Sequence, residues 1–349
     1  MDYDELKNLQ ERVAYFTKKY MPLFQYTHNS DQTPLFDDKN NTCRFCGKSS
    51  PKVTFKKKAH AISELIGNKE FVSRNECDVC NEQFGNSFED NLSKYLGITR
   101  NLSQIHSKKG VPSYKSESGK SRVDFTNKGI VIQDIEGSNF IEMKENGMLI
   151  HSVRQSYSPL SVYKSFVKMA LSVLPYEYMF YFWSTVKWLG EKSDATSYYD
   201  MKDYEWIIER FVPGPRPLSL TLHGFIRNND VIEVPFYQFV LEFGNYIYQI
   251  AVPCKFKDYN LGKSKNKITI YPMPHELEFI KFQFGKIETN FKVMNNPNKI
   301  KGEKLDVFMG FENCEIYDGN GKKIDDILKE EGINLKERLK YKPINLNEI

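Results

Sequence analysis

The stretch CRFCGKSSPKVTFKKKAHAISELIGNKEFVSRNECDVCNEQFGNSFEDNLSKYLG, residues 43–97, holds two C-x2-C pairs, Cys43/Cys46 and Cys77/Cys80, with 30 residues between the pairs. Two residues between thiolates let one tight turn aim both sulfurs at a single ion. Two such turns supply the four soft ligands of a tetrahedral structural zinc site. Gly47 follows the first pair and Asn81 the second, both residue types suited to such turns. Cys254 and Cys314 stand alone in apolar, strand-like surroundings and are expected to pack rather than ligate.

Between and after the pairs, Val53–Phe55 and Ala59–Ile62 have the short, partly β-branched character of strands. Phe84, Phe88, Leu92 and Leu96 recur every four residues, which predicts an amphipathic helix over 82–96. Two strands and a helix held by a zinc clamp are expected.

The first C-x2-C, then AHAIS with His60 14 residues after Cys46, then ECDVCN with Asn81 directly after the last cysteine, together resemble the HNH endonuclease family. Its ββα-metal unit sets a strand histidine against an asparagine or histidine on the following helix. The E-C-D-x-C-N ending followed by F-x-x-x-F looks like a bacterial branch often attached to antiviral defence genes. The resemblance covers about 55 of the 349 residues. It implies hydrolysis of DNA with His60 as general base, since an imidazole with an unperturbed pKa near ~6.5 accepts a proton close to neutrality. It also implies that Asn81 offers its amide oxygen to a catalytic divalent ion such as magnesium. Many members carry Asp or His just before the base, where this chain has Ala59. Glu64 is the candidate for the missing ligand if the loop after the strand curls back. Glu89 is less suited, because eight helical residues separate it from Asn81 by about 12 Å. Asn75 is a candidate to orient the histidine backbone.

Charge supports a polyanionic substrate. Net charge is only +4, but Cys43 to Arg122 holds 15 Lys and Arg against 8 Asp and Glu, +7, leaving 4 − 7 = −3 for the remainder. Lys56, Lys57 and Lys58 lead into His60, where neighbouring phosphates of a cleaved strand would pass. Lys108, Lys109, Lys115, Lys120 and Arg122, interleaved with Gly and Ser, read as a basic linker.

The rest of the chain is folded in character, with 40 % hydrophobic and 14 % aromatic residues. Residues 3–24 predict an amphipathic helix ending near Pro22. Strands are expected from Val123 to His151, with a turn at Glu145–Gly147. Pro159 opens a helix, and after Pro175 a second one carries Phe180, Trp183, Val186 and Trp188, an aromatic stripe expected to be core. Residues 213–320 alternate as antiparallel strands, with a hairpin at Gly244–Asn245 and a tail helix over 325–339. His151, His223 and His275 are isolated and expected to be structural. The class is therefore α+β, divided as 1–40 (amino-terminal helix), 41–100 (nuclease with zinc), 101–122 (linker) and 123–349, a carboxy-terminal region for regulation, specificity or oligomerisation.

The amino terminus lacks an apolar leader, and Met169–Leu189 is broken by Pro175, Glu177 and Lys187, so a cytoplasmic, membrane-free protein is expected. A homodimer would suit double-strand cutting, and a small-molecule or phage-derived trigger acting through the carboxy-terminal region is a variant of the same reading. The contrasting class is a zinc-stabilised nucleic-acid binding protein without catalysis.

Overall fold

The computed structural model describes residues 3–28, 41–107, 110–127, 129–135, 137–144, 147–191, 204–214, 218–228, 233–259, 261, 269–272, 285–311, 314–324 and 326. Helices and antiparallel sheets are both present, and the fold is α+β. Lys108, Lys109, His275 and almost all of the expected 325–339 helix lie outside the described residues.

The chain forms two compact units, 1–112 with 155–301, and 113–154 with 302–349. This partition differs from the one drawn on sequence, because the segment 43–97 shares a unit with 155–301. The first unit begins with α1 (Tyr3–Lys19) and runs directly into β1 (Tyr20–Thr27). The expected helix therefore ends earlier than Pro22. Pro22 lies instead on an edge strand at a register shift, where a missing N–H costs no ladder bond.

In the cysteine-rich segment, β2 (Ala59–His60) pairs with β3 (Val72–Ser73). Val53–Phe55 is not a strand. Its neighbourhood is fixed instead by the helix that follows: the Asp78 carboxylate accepts from the Lys56 and Lys57 amides at 3.1 and 2.7 Å, and the Asp78 amide donates to the Thr54 carbonyl at 2.8 Å. That helix begins earlier than expected, as α2 (Asp78–Phe84), passes through a π-turn (Gly85–Glu89) and continues as α3 (Asp90–Leu96). A stripe spaced by exactly four drifts around an ideal helix of 3.6 residues per turn; one wide turn brings it back into line. Phe84, Phe88, Leu92 and Leu96 are accordingly all buried. A short α4 (Thr99–Leu102) closes the segment.

Among the described residues the second unit holds two three-stranded antiparallel sheets. One joins β4 (Tyr114–Lys115), β5 (Arg122–Thr126) and β6 (Gly129–Gln133). The other has the order β14-β8-β7, from β7 (Ile141–Lys144), β8 (Gly147–Val153) and β14 (Lys304–Met309). His151 there faces Asp306 at 3.1 Å and Glu142 at 3.5 Å.

Back in the first unit, α5 (Pro159–Ser172) is capped by the Ser158 hydroxyl and buried along its whole length, Lys164 and Lys168 included. A 3-10 turn (Tyr176–Phe182) leads into α6 (Trp183–Gly190). The main sheet has the order β1-β10-β11-β12-β9-β13, with β9 (Trp206–Phe211), β10 (Leu218–Arg227), β11 (Tyr237–Gly244), β12 (Tyr246–Val252) and β13 (Glu288–Val293). Gly224 admits the Phe24 ring, which any Cβ would meet at 2.4 Å. The β11–β12 hairpin turns at Gly244 with a φ of 55°. Residues 269–272, expected as part of a strand, carry none, and their backbone is bonded by the Gln249 side chain at Thr269 and Tyr271. His223 is a buried partner of Glu242 at 3.0 Å. Cys254 is buried as expected, whereas Cys314 is exposed. Among the described residues no helix is long and apolar enough to cross a membrane.

Candidate active site and metal centre

The two C-x2-C turns converge. Among the described residues Cys43, Cys46, Cys77 and Cys80 form the one group of three or more His, Cys, Asp or Glu side chains able to hold a metal ion, with all four sulfurs within 4.8 Å of one another. Zinc–sulfur bonds of ~2.3 Å give a tetrahedron with edges of about 3.8 Å. Cys46 Sγ and Cys77 Sγ stand 3.8 Å apart. Without a cation four such sulfurs cannot all ionise. The hydrogen bond to Cys80 draws the Cys43 thiol down to about 4, and the same contact pushes Cys80 up, while burial pushes Cys77 up to about 11. A divalent ion removes that conflict. The donor set fits zinc.

The cluster also anchors the surrounding chain. Arg44, between the first two cysteines, donates its guanidinium to the carbonyls of Leu171 (2.8 Å) and Ser172 at the end of α5. Its amide bonds the Asn75 carbonyl at 2.8 Å just before the second pair.

His60 ends the short strand β2, its side chain 13 % exposed. Glu64, in the 3-10 turn Glu64–Ile66, does curl back: its Oε1 lies 3.4 Å from His60 Nε2. On the other side of the ring, Asn68 Nδ2 lies 3.5 Å from His60 Nδ1. Asn68 is buried and knits the loop between β2 and β3. It accepts from the Glu70 and Phe71 amides at 3.0 and 2.9 Å and donates to the carbonyls of Phe71 (3.0 Å) and Ile62. Burial lowers the His60 pKa, with Glu64 and Glu89 pulling the other way and Lys58 and Lys168 reinforcing it. The ring is thus neutral near pH 7, as a proton acceptor must be.

The His60 carbonyl is held from outside this segment. Lys168 of α5 donates to it at 2.8 Å and pairs with Glu76 at 2.9 Å, the Glu76 side chain being 0 % exposed. Burial raises the Glu76 pKa, opposed by Lys168. The carbonyl of Asn75, the residue expected to orient the histidine backbone, accepts from the Arg44 amide, and Lys168 is the group that donates to the His60 carbonyl.

The remaining candidates are placed as follows. Asn81 sits half-buried in the first turn of α2, with no hydrogen bond joining its amide to His60 or Glu64. Ala59 is buried and turned into the core. Lys56, Lys57 and Lys58 are all exposed; Lys57 is paired with Glu82 at 2.8 Å. Asn68, Glu76 and Lys168 were not found by sequence reasoning. The Gly67–Asn68 dipeptide, a turn signature, was the one available signal for Asn68, whereas nothing local marks Lys168.

No curated protein and no solved structure matches this chain. The family model described as HNH endonuclease matches residues 43–96, from the first cysteine to the end of α3, and this part of the chain is an HNH unit with a four-cysteine cluster positioned for zinc.

Proposed function

We propose that the chain is a DNA endonuclease that hydrolyses phosphodiester bonds with His60 as general base. The observation that carries this reading is the mounting of His60: a neutral, half-buried imidazole between Glu64 and Asn68, its carbonyl tied to Lys168, inside an HNH unit. Deprotonating the attacking water turns the ring into an imidazolium, which Glu64 at 3.4 Å stabilises. A divalent cation such as magnesium, taken up beside Glu64 and Asn81 with water and phosphate oxygens completing its shell, would supply charge stabilisation for the leaving oxygen. Exposed Lys56 and Lys58 draw in the flanking phosphates. Zinc at the four cysteines is structural, fixing the start of α2 and, through Arg44, the end of α5.

The position of α5 supports control from the carboxy-terminal half, because whatever shifts this helix moves the Lys168 bond to His60. A trigger that acts there, in a defence setting or another, would switch cutting without touching the HNH segment. Ala59 favours a second reading, a zinc-stabilised binding protein without catalysis, since its buried methyl group leaves the position before the base without a ligand.

The test is incubation of wild-type protein and His60→Ala with plasmid and linear DNA, with magnesium, manganese or nickel. Cleavage lost in the variant is expected. DNA binding that survives in both proteins with no cutting under any metal would replace this reading with the second.

A further inference from the structure

The helix after Pro175 carries an aromatic stripe whose spacing reads as core, and the structure divides it. Trp188 is 1 % exposed, yet Phe180 and Trp183 are each 61 % exposed. Phe180, Trp183 and Lys187, at i, i+3 and i+7 across the 3-10 turn and α6, are exposed along one face, and Tyr176 is exposed at the start of the turn. Phe256, 65 % exposed, joins this face from the turn after β12, its ring 6.3 Å from that of Phe180 and 5.5 Å from that of Tyr181. Lys257 lays its ammonium 4.7 Å from the centre of the Tyr181 ring. Glu177, three residues before Phe180 in the 3-10 turn, is the exposed acid at the edge of these rings.

Water-facing rings clustered to this extent mark an interaction surface. Their chemistry selects the partner. Rings flanked by lysines provide faces for bases and cations for phosphates, the combination used to hold unpaired nucleic-acid strands, whereas the bases of an intact duplex are already stacked. The place of the stripe agrees. Gln83 of α2 donates to the carbonyl of Gly190 at 3.1 Å, tying the end of α6 to the HNH helix, and the seven residues from Gly190 back to Trp183 span about 10 Å.

We infer that Phe180, Trp183 and Phe256, with Lys187 and Lys257, form a stacking platform for single-stranded nucleic acid alongside the HNH unit. This rests on the nucleic-acid substrate of the proposed function and narrows it to DNA with an unpaired segment.

Trp183 is its own reporter, since the other two tryptophans, Trp188 and Trp206, are buried. Full-length protein, without added divalent cation, is titrated with a short oligothymidylate and with a hairpin duplex of equal length, following tryptophan fluorescence and the anisotropy of labelled strands. Oligothymidylate is expected to quench Trp183, and Phe180→Ala/Phe256→Ala to weaken its binding at least about tenfold while leaving duplex binding within about twofold. Trp183→Phe should lose the quenching but keep most of the affinity, because a ring remains. These side chains are exposed, so an unchanged thermal midpoint verifies folding. The inference is overturned if the oligonucleotide leaves Trp183 unquenched, or if the double variant binds it like wild type. It is equally overturned if sedimentation shows a dimer that the double variant dissociates, which would assign the surface to a second copy of the chain. Plasmid cleavage is scored separately: cutting without quenching removes the platform and keeps the nuclease, and quenching without cutting does the reverse.

Discussion

Lys168 Nζ lies 2.8 Å from the carbonyl oxygen of His60, 108 residues earlier in the chain. The candidate base therefore sits at the junction of a short strand in the HNH segment and a helix from a later part of the sequence. The same ammonium faces the buried Glu76 carboxylate at 2.9 Å. One cation thus serves both the backbone of the base and the acid preceding the second cysteine pair.

Lys168→Met is expected to cost about 3–5 kcal/mol of stability, because it leaves Glu76 buried and charged without its partner. Glu76→Gln/Lys168→Met should recover much of that loss, since an amide carries no charge to compensate. Cleavage should stay low in both, by about 100-fold, as the His60 carbonyl is unanchored in each. Urea denaturation and plasmid cleavage on the four members of the cycle provide the check. Full cleavage in the stable double variant would remove Lys168 from any positioning role.

His60→Ala should reduce cleavage by about 10²–10⁴-fold while zinc content and folding persist. Glu64→Gln tests the role of the carboxylate. Glu64 raises the His60 pKa against the lowering effect of burial, so its neutralisation moves the pKa further down. The base form then survives to lower pH, and the acidic limb of the rate profile shifts in that direction with a smaller maximum. An unmoved limb together with a higher metal requirement would identify Glu64 as a metal ligand and not as the partner of an imidazolium.

The purified protein should contain zinc in equimolar amount, and Cys80→Ser should lose it along with at least about 3 kcal/mol of stability. Arg44 carries the consequence to α5 through its bonds to Leu171 and Ser172. Hydrogen exchange of the α5 amides should therefore accelerate in Cys80→Ser. Elemental analysis that finds no metal in the wild type, with α5 equally protected in both proteins, would contradict the structural role of the cluster.

The two cysteine pairs, His60 and the strand-turn-helix character of the segment were legible because each is a local pattern of residue type and spacing. The β11–β12 hairpin was legible for the same reason, through Gly244 and Asn245. Val53–Phe55 misled because β-branched residues fit an extended segment, whether or not a strand pairs with it, and the Asp78 carboxylate decided the matter from 21 or more residues away. Phe180 and Trp183 misled because helical periodicity reports which residues share a face, not whether that face meets protein or water. Tyr20–Thr27 was hidden by the helix before it, as its partner β10 lies almost 200 residues further on. Lys168 was invisible for a related cause: on a buried helix a lysine gives no indication of which carbonyl or carboxylate it will meet.

Lys164, one turn before Lys168 on α5, supplies a prediction about stability alone. It is 1 % exposed, donates to the carbonyls of Trp188 (2.9 Å) and Glu191 (3.3 Å), and rests 4.6 Å from the centre of the Trp188 ring. Burial pushes its pKa down to about 8, against the opposing pull of Glu191 and Glu205. In the unfolded chain the value is ~10.4. Between these values the unfolded chain binds more protons than the folded one, so stability rises with pH. The contribution is complete above the unfolded value and is lost as pH falls through about 8. Buried tyrosines and other groups titrate in the same range, but they are common to wild type and Lys164→Met, so the difference between the two isolates this lysine. From pH 8 to pH 10 the wild type should gain about 2 kcal/mol on the variant in urea denaturation. Parallel pH profiles for the two proteins would mean that the Lys164 ammonium keeps its proton in the fold, held by the two carbonyls and the indole face.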